Sequence, residues 1–430
     1  MSVSVPTLRR IWPGQPLLSP EATHERRLQH RVGAAIGLLF LNALGYSGAL
    51  IHIPSVVGKL ITQGALPAAL LILLTVNRRV LIRPSVFLCL VSLLPLEAIL
   101  TALQPQYLGT VYRTFRLMEF VLAMWLLTPW WGRRDMLLLR AYMWTLSIIL
   151  GSVLVGLVLS PGNALPYGRL SGALWDIPST QVAHYAAVTI GLLVVLWLSG
   201  NFPGRITLIV SVVAGGMLLL THTRTALIGM VAGILVAGLS LIVAKSRVRK
   251  AFATAGAVLA IAIMTLSSVI TTWLARGEGT QELTNLTGRT KVWGPLLALP
   301  RDKFQEIFGF GLSNSSFDGL PIDSNWLSSY DEQGLFGVGV CIAILIFLLV
   351  AAYFAPQGLH RALALFLITY CLVASFTEDG FTDATPYLIE LSLAASLLVP
   401  PIMATRRRSS RTPGQSGDLD EPAQLPAATS

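Results

Sequence analysis

Residues 334–355 read GLFGVGVCIAILIFLLVAAYFA, an apolar stretch that contains no charged side chain. An α-helix needs roughly 17–25 mostly apolar residues to cross a bilayer core of roughly 30 Å, and this stretch falls in that range. Residues 334–355 therefore predict a membrane-spanning helix, and similar stretches recur along the whole chain.

The composition agrees with this prediction. Of the 430 residues, 54% are hydrophobic and only 12% are charged, whereas a soluble domain carries roughly 25% charged residues. The pattern predicts an all-α polytopic membrane protein with about twelve transmembrane helices. The predicted spans are 33–53, 60–76, 84–103, 113–131, 136–160, 180–199, 204–220, 224–244, 250–274, 334–355, 359–376 and 383–403.

Arginine and lysine predict the orientation of these spans. About 20 of the 31 basic residues fall in alternate loops, as expected if those loops are cytoplasmic. The segments concerned lie near residues 9–31, 78–83, 133–134, 205, 245–250, 361 and 406–411. Both termini are then cytoplasmic, and the long loop 275–333 is extracytoplasmic, together with the shorter loops 161–179, 221–223 and 377–382.

The chain accordingly divides into five predicted segments. These are a cytoplasmic N-terminal tail (1–32), spans one to nine (33–274), the large extracytoplasmic loop (275–333), spans ten to twelve (334–403) and a disordered cytoplasmic tail (404–430). The net charge of +10 follows this topology and does not form one basic face, so nucleic-acid binding is not expected. Cys89, Cys341 and Cys371 all lie in apolar stretches, which argues against a disulfide framework.

Three predicted outer segments carry an arginine, against the usual charge bias. Arg169 lies in GRLSG (168–172), Arg224 in THTRT (221–225) and Arg289 in TGRTK (287–291). A guanidinium binds phosphate oxygens through two parallel hydrogen bonds and stays charged at any relevant pH. Convergence of the three arginines would make a diphosphate site; the alternative is that each pairs with a nearby carboxylate or a lipid headgroup.

Further ionisable residues lie within predicted spans. Arg113, Arg116 and Glu119 are three apart on one helix face, so that either an Arg116–Glu119 pair or a contribution of Arg116 to an anion site is open. Glu97 and Glu390 are candidate counter-ions for an arginine.

The histidines have different expected roles. His222 adjoins Arg224 and is a candidate phosphate donor, whereas His184 is expected to pack against or bond a neighbouring helix. The six histidines show no paired spacing, so no protein metal site is predicted.

Asp323 follows a run of turn residues in the large loop. A carboxylate just above the membrane and near convergent arginines suits a general base for a sugar hydroxyl, a role worth ~10²–10⁴-fold. The alternative is that Asp323 caps the next helix, although Asp331 and Glu332 lie closer to Gly334 and are the better candidates for a cap.

At these positions the chain resembles the superfamily of O-antigen ligases and O-antigen polymerases. The similar motifs are an Arg-x-Ser-Gly segment (169–172), a Thr-Arg-Thr turn opening a span (223–225), a Gly-Arg pair in the large loop (288–289) and a Phe-Gly-x-Gly turn (308–311). A fifth motif of the ligases has a histidine, a small polar residue, nine residues and Gly-x-x-Gly. This chain has the same spacing from residue 323 to 337, with aspartate in place of the histidine.

The resemblance implies a membrane glycosyltransferase of GT-C-like architecture in the bacterial plasma membrane, with helices enclosing an extracytoplasmic cavity. The donor would be an oligosaccharide on undecaprenyl diphosphate, and the acceptor a glycan or lipid-linked glycan. Arg169, Arg224 and Arg289 would hold the diphosphate, and Asp323 would activate the acceptor in an inverting reaction that uses no cofactor. The histidine-to-aspartate change favours a polymerase, or a ligase-like enzyme with another acceptor.

Two other functions are open. A secondary transporter or flippase for an anionic or lipid-linked glycan suits about twelve spans, but the sequence shows no clear internal repeat and its polar groups gather at one face. A membrane scaffold gives no reason for the outward arginines.

Overall fold

The computed structural model describes residues 20–44, 54–103, 108–133, 135–242, 246–254 and 290–400. Several predictions lie outside these residues: the N-terminal tail up to residue 19, most of the span at 250–274, the large loop up to residue 289 with the role of Arg289, and the C-terminal tail 404–430. The described chain is mostly helical.

The first part of the chain forms a series of helices close to the predicted positions. In order, they are α1 (Pro20–Leu41), α2 (Ser55–Val76), α3 (Val86–Ala102), α4 (Leu108–Leu127), α5 (Leu137–Leu159), the single turn α6 (Pro161–Ala164), α7 (Ser179–Leu198), α8 (Gly204–Leu220) and α9 (Arg224–Ile242). Short 3₁₀ turns follow α4 at Thr128–Trp130 and α6 at Pro166–Gly168.

The second part begins with α10 (Thr290–Ala298) and α11 (Lys303–Phe308). A small antiparallel hairpin follows, in which β1 (Ser316–Phe317) pairs with β2 (Leu320–Pro321). Its turn is Asp318–Gly319, both at positive φ, as expected for an Asp-Gly hairpin turn. The chain then forms α12 (Asn325–Phe354), α13 (Leu359–Ala374) and α14 (Pro386–Leu398).

Five of the described helices are long and apolar enough to cross a membrane, namely α2, α5, α7, α9 and α12. Four shorter helices, α3, α8, α13 and α14, are also apolar. Large apolar side chains point away from the protein on several helices, for example Trp144 (71% exposed), Val158 (79%) and Leu208 (66%). A surface of this kind is costly in water and suits lipid, so the membrane prediction is supported, while the count of twelve spans stays a prediction.

Two helix starts differ most from the prediction. Helix α1 begins at Pro20, inside the predicted N-terminal tail, because Glu25, Leu28 and Gln29 favour helix despite their polar neighbours. Helix α12 begins at Asn325, inside the predicted loop 275–333. A break at Gly334, with φ of 63°, separates the polar first two turns of α12 from its apolar part.

Small residues allow the helices to pack closely around α13. The aromatic ring of Phe366 on α13 occupies the space where side chains at Gly191 on α7 and Gly233 on α9 would lie. Any larger residue at either glycine would overlap this ring. Helices α7, α9 and α13 therefore form a tight unit that fixes the loops at their ends.

Candidate functional site

The segment 375–385, which joins α13 to α14, reads SFTEDGFTDAT and is buried or half-buried except at Phe376. Asn325, at the start of α12, holds this segment in place through hydrogen bonds. The Asn325 side-chain oxygen accepts hydrogen bonds from the backbone N–H groups of Phe381 at 2.7 Å and Gly380 at 3.3 Å. The Asn325 backbone N–H in turn donates to the carbonyl of Ser375 at 3.0 Å. This docking places Asp323 and Ser324 beside the segment.

The start of α9 docks on the same segment. The hydroxyl of Thr377 donates to the hydroxyl of Thr225 at 2.7 Å, immediately after Arg224 in the chain. Arg224 is the first residue of α9 and follows the tight turn 221–223. The predicted Thr-Arg-Thr motif therefore lies against the 375–385 segment.

Arg169 lies on the other side of this turn. Its Nε donates to the carbonyl of Thr221 at 3.1 Å, and the backbone N–H of Leu170 donates to the carbonyl of Leu220 at 3.0 Å. Within the described part of the chain, the bond to Thr221 is the one hydrogen bond of the Arg169 side chain. Arg169 and Arg224 thus approach one turn, which also carries His222 at positive φ.

Asp379 and Asp383 are functional candidates that the sequence reasoning did not name. Burial has the largest influence on the pKa of Asp379 and raises it; a hydrogen bond with Ser315 lowers it, and the charges of Asp383 and Asp323 raise it again. Asp323 is therefore close enough to Asp379 to interact with it electrostatically. The signal in the sequence was three carboxylates, at 378, 379 and 383, in one short connection between apolar helices.

Asp383 holds two arginines of α4. Arg116 Nη1 lies 3.4 Å and Arg113 Nη1 lies 3.8 Å from its carboxylate. Arg116 also donates to the side-chain oxygen of Asn42 at 3.2 Å and to the carbonyl of Ala384 at 3.1 Å. Of the two roles left open for Arg116, the i,i+3 pair with Glu119 is not observed, because all three guanidinium nitrogens of Arg116 bind groups from other parts of the chain.

Glu332 supports the loop before α12. Its Oε1 accepts from the backbone N–H groups of Ser313 at 3.1 Å and Ser315 at 2.9 Å, and from their hydroxyls at 2.8 and 3.2 Å. The expectation that Asp331 or Glu332 caps the helix is wrong, since both lie inside α12. Asp331 instead binds Arg301 at 2.8 Å.

Asp323 is not the helix cap either, because the N-cap position belongs to Ser324. The Phe-Gly-x-Gly turn (308–311) packs where α12 is broken: the backbone N–H groups of Phe310 and Gly311 donate to the carbonyls of Asp331 and Glu332, both at 2.9 Å. A side chain at Gly309 would overlap the Glu332 backbone. The turn therefore needs glycine in order to seat the loop that leads to Asp323.

A second polar cluster lies between the helices. His184 Nε2 is 2.7 Å from Glu390 Oε1, and His184 Nδ1 is 3.1 Å from the Tyr370 hydroxyl. Tyr142 and Cys371 donate to the same carboxylate. The prediction that His184 bonds a neighbouring helix is confirmed. Glu390, a candidate counter-ion for an arginine, has His184 as its ion-pair partner among the described residues.

Three of the four predicted segments thus meet at the 375–385 segment or at the turn beside it, and the position of Arg289 lies outside the described residues. No known protein family and no curated protein matches this chain.

Proposed function

We propose that this protein is a membrane glycan transferase of the O-antigen ligase and polymerase type, which acts on a polyprenyl-diphosphate-linked oligosaccharide donor. One observation carries the proposal. The Arg169 segment, the Arg224 turn and the start of α12 beside Asp323, far apart in sequence, are joined through hydrogen bonds around the turn 221–223 and segment 375–385. A glycan transferase needs a positive charge that stabilises the leaving group and a base that activates the acceptor, and it needs them close together.

In this proposal Arg169 and Arg224, together with Arg289, bind the diphosphate. Their charges stabilise the polyprenyl diphosphate as it leaves the anomeric carbon, so the arginines do the electrostatic work that a cation does elsewhere. His222 donates a further hydrogen bond to a phosphate oxygen. The partly exposed guanidinium of Arg169 suits this role, since its bond to Thr221 uses Nε alone among its nitrogens in the described structure.

Asp323 is proposed to take the proton from the acceptor hydroxyl. The hydroxyl oxygen then attacks the anomeric carbon on the side opposite the leaving diphosphate, which inverts the configuration of that carbon. Asp379, in the 375–385 segment, is close enough to Asp323 for the two carboxylates to interact electrostatically. Arg116 is proposed as a positioning residue, because it holds Asp383 and Ala384 and so orders the segment.

The protein is proposed to lie in a bacterial plasma membrane with both termini cytoplasmic and this site outside.

The test of the proposed transferase function is glycan production in cells that carry single variants. Arg169→Ala, Arg224→Ala, Arg289→Ala and Asp323→Ala should each abolish polymer formation while the protein still inserts. Asp302→Asn, at an exposed helix cap, is the control and should leave polymer unchanged. Normal chain-length ladders from all four alanine variants would refute the proposal.

A secondary transporter or flippase is a second candidate, and one observation favours it. The His184–Glu390 pair is an ionisable pair buried between apolar helices, and such pairs mark proton pathways in transporters. Reconstituted protein distinguishes the two functions: substrate counterflow without a new glycosidic bond favours transport.

A further inference from the structure

Two arginines of α1 and two arginines of the loop that follows α2 line one cavity. The cavity has a volume of about 520 Å³, and its polar lining consists of Arg27, Arg31, Arg78, Arg79, Thr75 and Asn77. A water molecule occupies roughly 30 Å³ in the liquid, so the space is large enough for a phosphodiester headgroup. The described residues that line it include no carboxylate.

Among the described residues, no carboxylate balances the charges in this cavity. Within the described residues, none of the four arginines forms an ion pair, although other arginines near these helix ends do. Arg133 binds Glu25 at 2.6 Å and Asp135 at 3.1 Å, and Arg140 lies 3.3 Å from Asp135. Glu25, two residues before Arg27, is therefore already engaged elsewhere. The cavity keeps a concentrated positive charge that attracts an anion.

The wall of the cavity is held in place by Asn77, which is 5% exposed. The Asn77 side chain donates to the carbonyl of Leu81 at 2.8 Å and accepts from the backbone N–H of Leu81 at 2.9 Å. It also donates to the carbonyl of Leu126 on α4 at 3.4 Å. These bonds hold in place the backbone that carries Arg78 and Arg79, whose side chains are exposed.

The surroundings of the cavity separate a lipid from a soluble anion. Val80, Leu81 and Ile82 follow the two arginines directly and are 51%, 61% and 49% exposed. A free phosphate gains nothing from this apolar surface, whereas an acyl chain covers it. The combination of a basic cavity and adjoining exposed apolar residues matches one amphiphilic ligand with an anionic head.

We infer that the cavity between α1 and α2 binds the headgroup of an anionic phospholipid, with its acyl chain along Val80–Ile82. The four arginines then do more than orient the spans, since topology requires their charge but not their convergence on one cavity. The site is separate from the 375–385 segment, so this inference does not depend on the proposed transferase activity.

The test is native mass spectrometry of the purified full chain titrated with phosphatidylglycerol or phosphatidylcholine. The wild type should retain one phosphatidylglycerol in preference to phosphatidylcholine. Each arginine near an anionic lipid is worth roughly fivefold in affinity, so Arg78→Gln with Arg79→Gln should weaken phosphatidylglycerol binding roughly 25-fold. The matched control, Arg205→Gln with Arg249→Gln, removes two exposed arginines from the same predicted face and should leave binding unchanged.

Two further arms separate the alternatives. Arg78→Lys with Arg79→Lys keeps the charge that orients the spans, and should insert normally while losing less affinity than the glutamine variant. Inorganic phosphate or glycerol phosphate should not displace the lipid at millimolar concentration. Equal retention of both lipids, an equal loss in the control variant, or displacement by the soluble phosphates would each overturn the inference.

Discussion

Replacement of Glu332 by alanine should loosen the loop before α12, while replacement by glutamine should not. The Glu332 carboxylate is buried and accepts four hydrogen bonds from Ser313 and Ser315. The two serine hydroxyls can rotate toward other acceptors, and Ser315 already accepts from Ser328. The two backbone N–H groups have no such freedom.

The magnitude follows from those two backbone groups. A buried donor left without an acceptor costs about 1–3 kcal/mol, so Glu332→Ala should destabilise the loop by about 2–6 kcal/mol. At about 1.4 kcal/mol per factor of ten, each of the two amides should exchange its hydrogen roughly 5- to 150-fold faster. Glu332→Gln keeps a carbonyl oxygen at the same place and should retain most of the protection.

Hydrogen exchange of the purified protein, read on peptides that cover residues 309–322, measures this effect directly. Faster exchange in the alanine variant should stay within these peptides, and α5 serves as an internal reference. The reasoning is refuted if the alanine variant exchanges like the wild type, or if both variants exchange equally fast.

The other predictions concern the break in α12 and the 375–385 segment. Gly334→Ala should lower the melting temperature in detergent strongly, because residue 334 has positive φ and an added side chain would overlap the backbone of α11. The control Gly339→Ala has open space around the added side chain and should be neutral or stabilising by about 0.5–1 kcal/mol. Similar losses of melting temperature in both variants would contradict this explanation. Asp383→Asn should lower the free energy of unfolding by about 1–2 kcal/mol, between the values for exposed and buried ion pairs. The reason is that Arg113 and Arg116 both lose their shared ion-pair partner. An unchanged melting temperature would argue against a stabilising role of Asp383. Asp379→Asn tests pH dependence: the folded state binds the Asp379 proton more tightly than the unfolded chain, so wild-type stability falls as pH rises from the ordinary pKa of aspartate through the raised one. The variant should therefore gain in melting temperature relative to wild type at pH 7 but not at pH 4, and a gain that does not depend on pH would exclude this explanation.

The sequence predicted helix positions well, because uninterrupted apolar runs leave few alternatives in lipid. It predicted the bounds of α12 poorly. Apolar periodicity starts at Gly334, whereas the helix begins at Asn325, where polar residues find partners in the 375–385 segment. That docking is a long-range contact, which hydropathy does not report.

The candidate site could be predicted only in part, because some of its contacts join residues that are far apart in sequence. Arg169, Arg224 and Asp323 stood out because each is costly or unusual at its position. The sequence left the partner of Arg116 open, because Asp383 is far away in sequence. The roles of Glu332 and Asp379 follow from burial and from partners in the hairpin loop, which only the folded chain brings together.

The most direct test of the central claim uses the purified protein, a polyprenyl-diphosphate oligosaccharide and candidate acceptors, with products measured by mass. We predict a new glycosidic bond in the wild type and none in Asp323→Ala. Lengthened lipid-linked chains identify a polymerase, and transfer to a different acceptor identifies a ligase. An intact donor after incubation with every acceptor, in protein that still folds and binds the donor, would contradict this prediction.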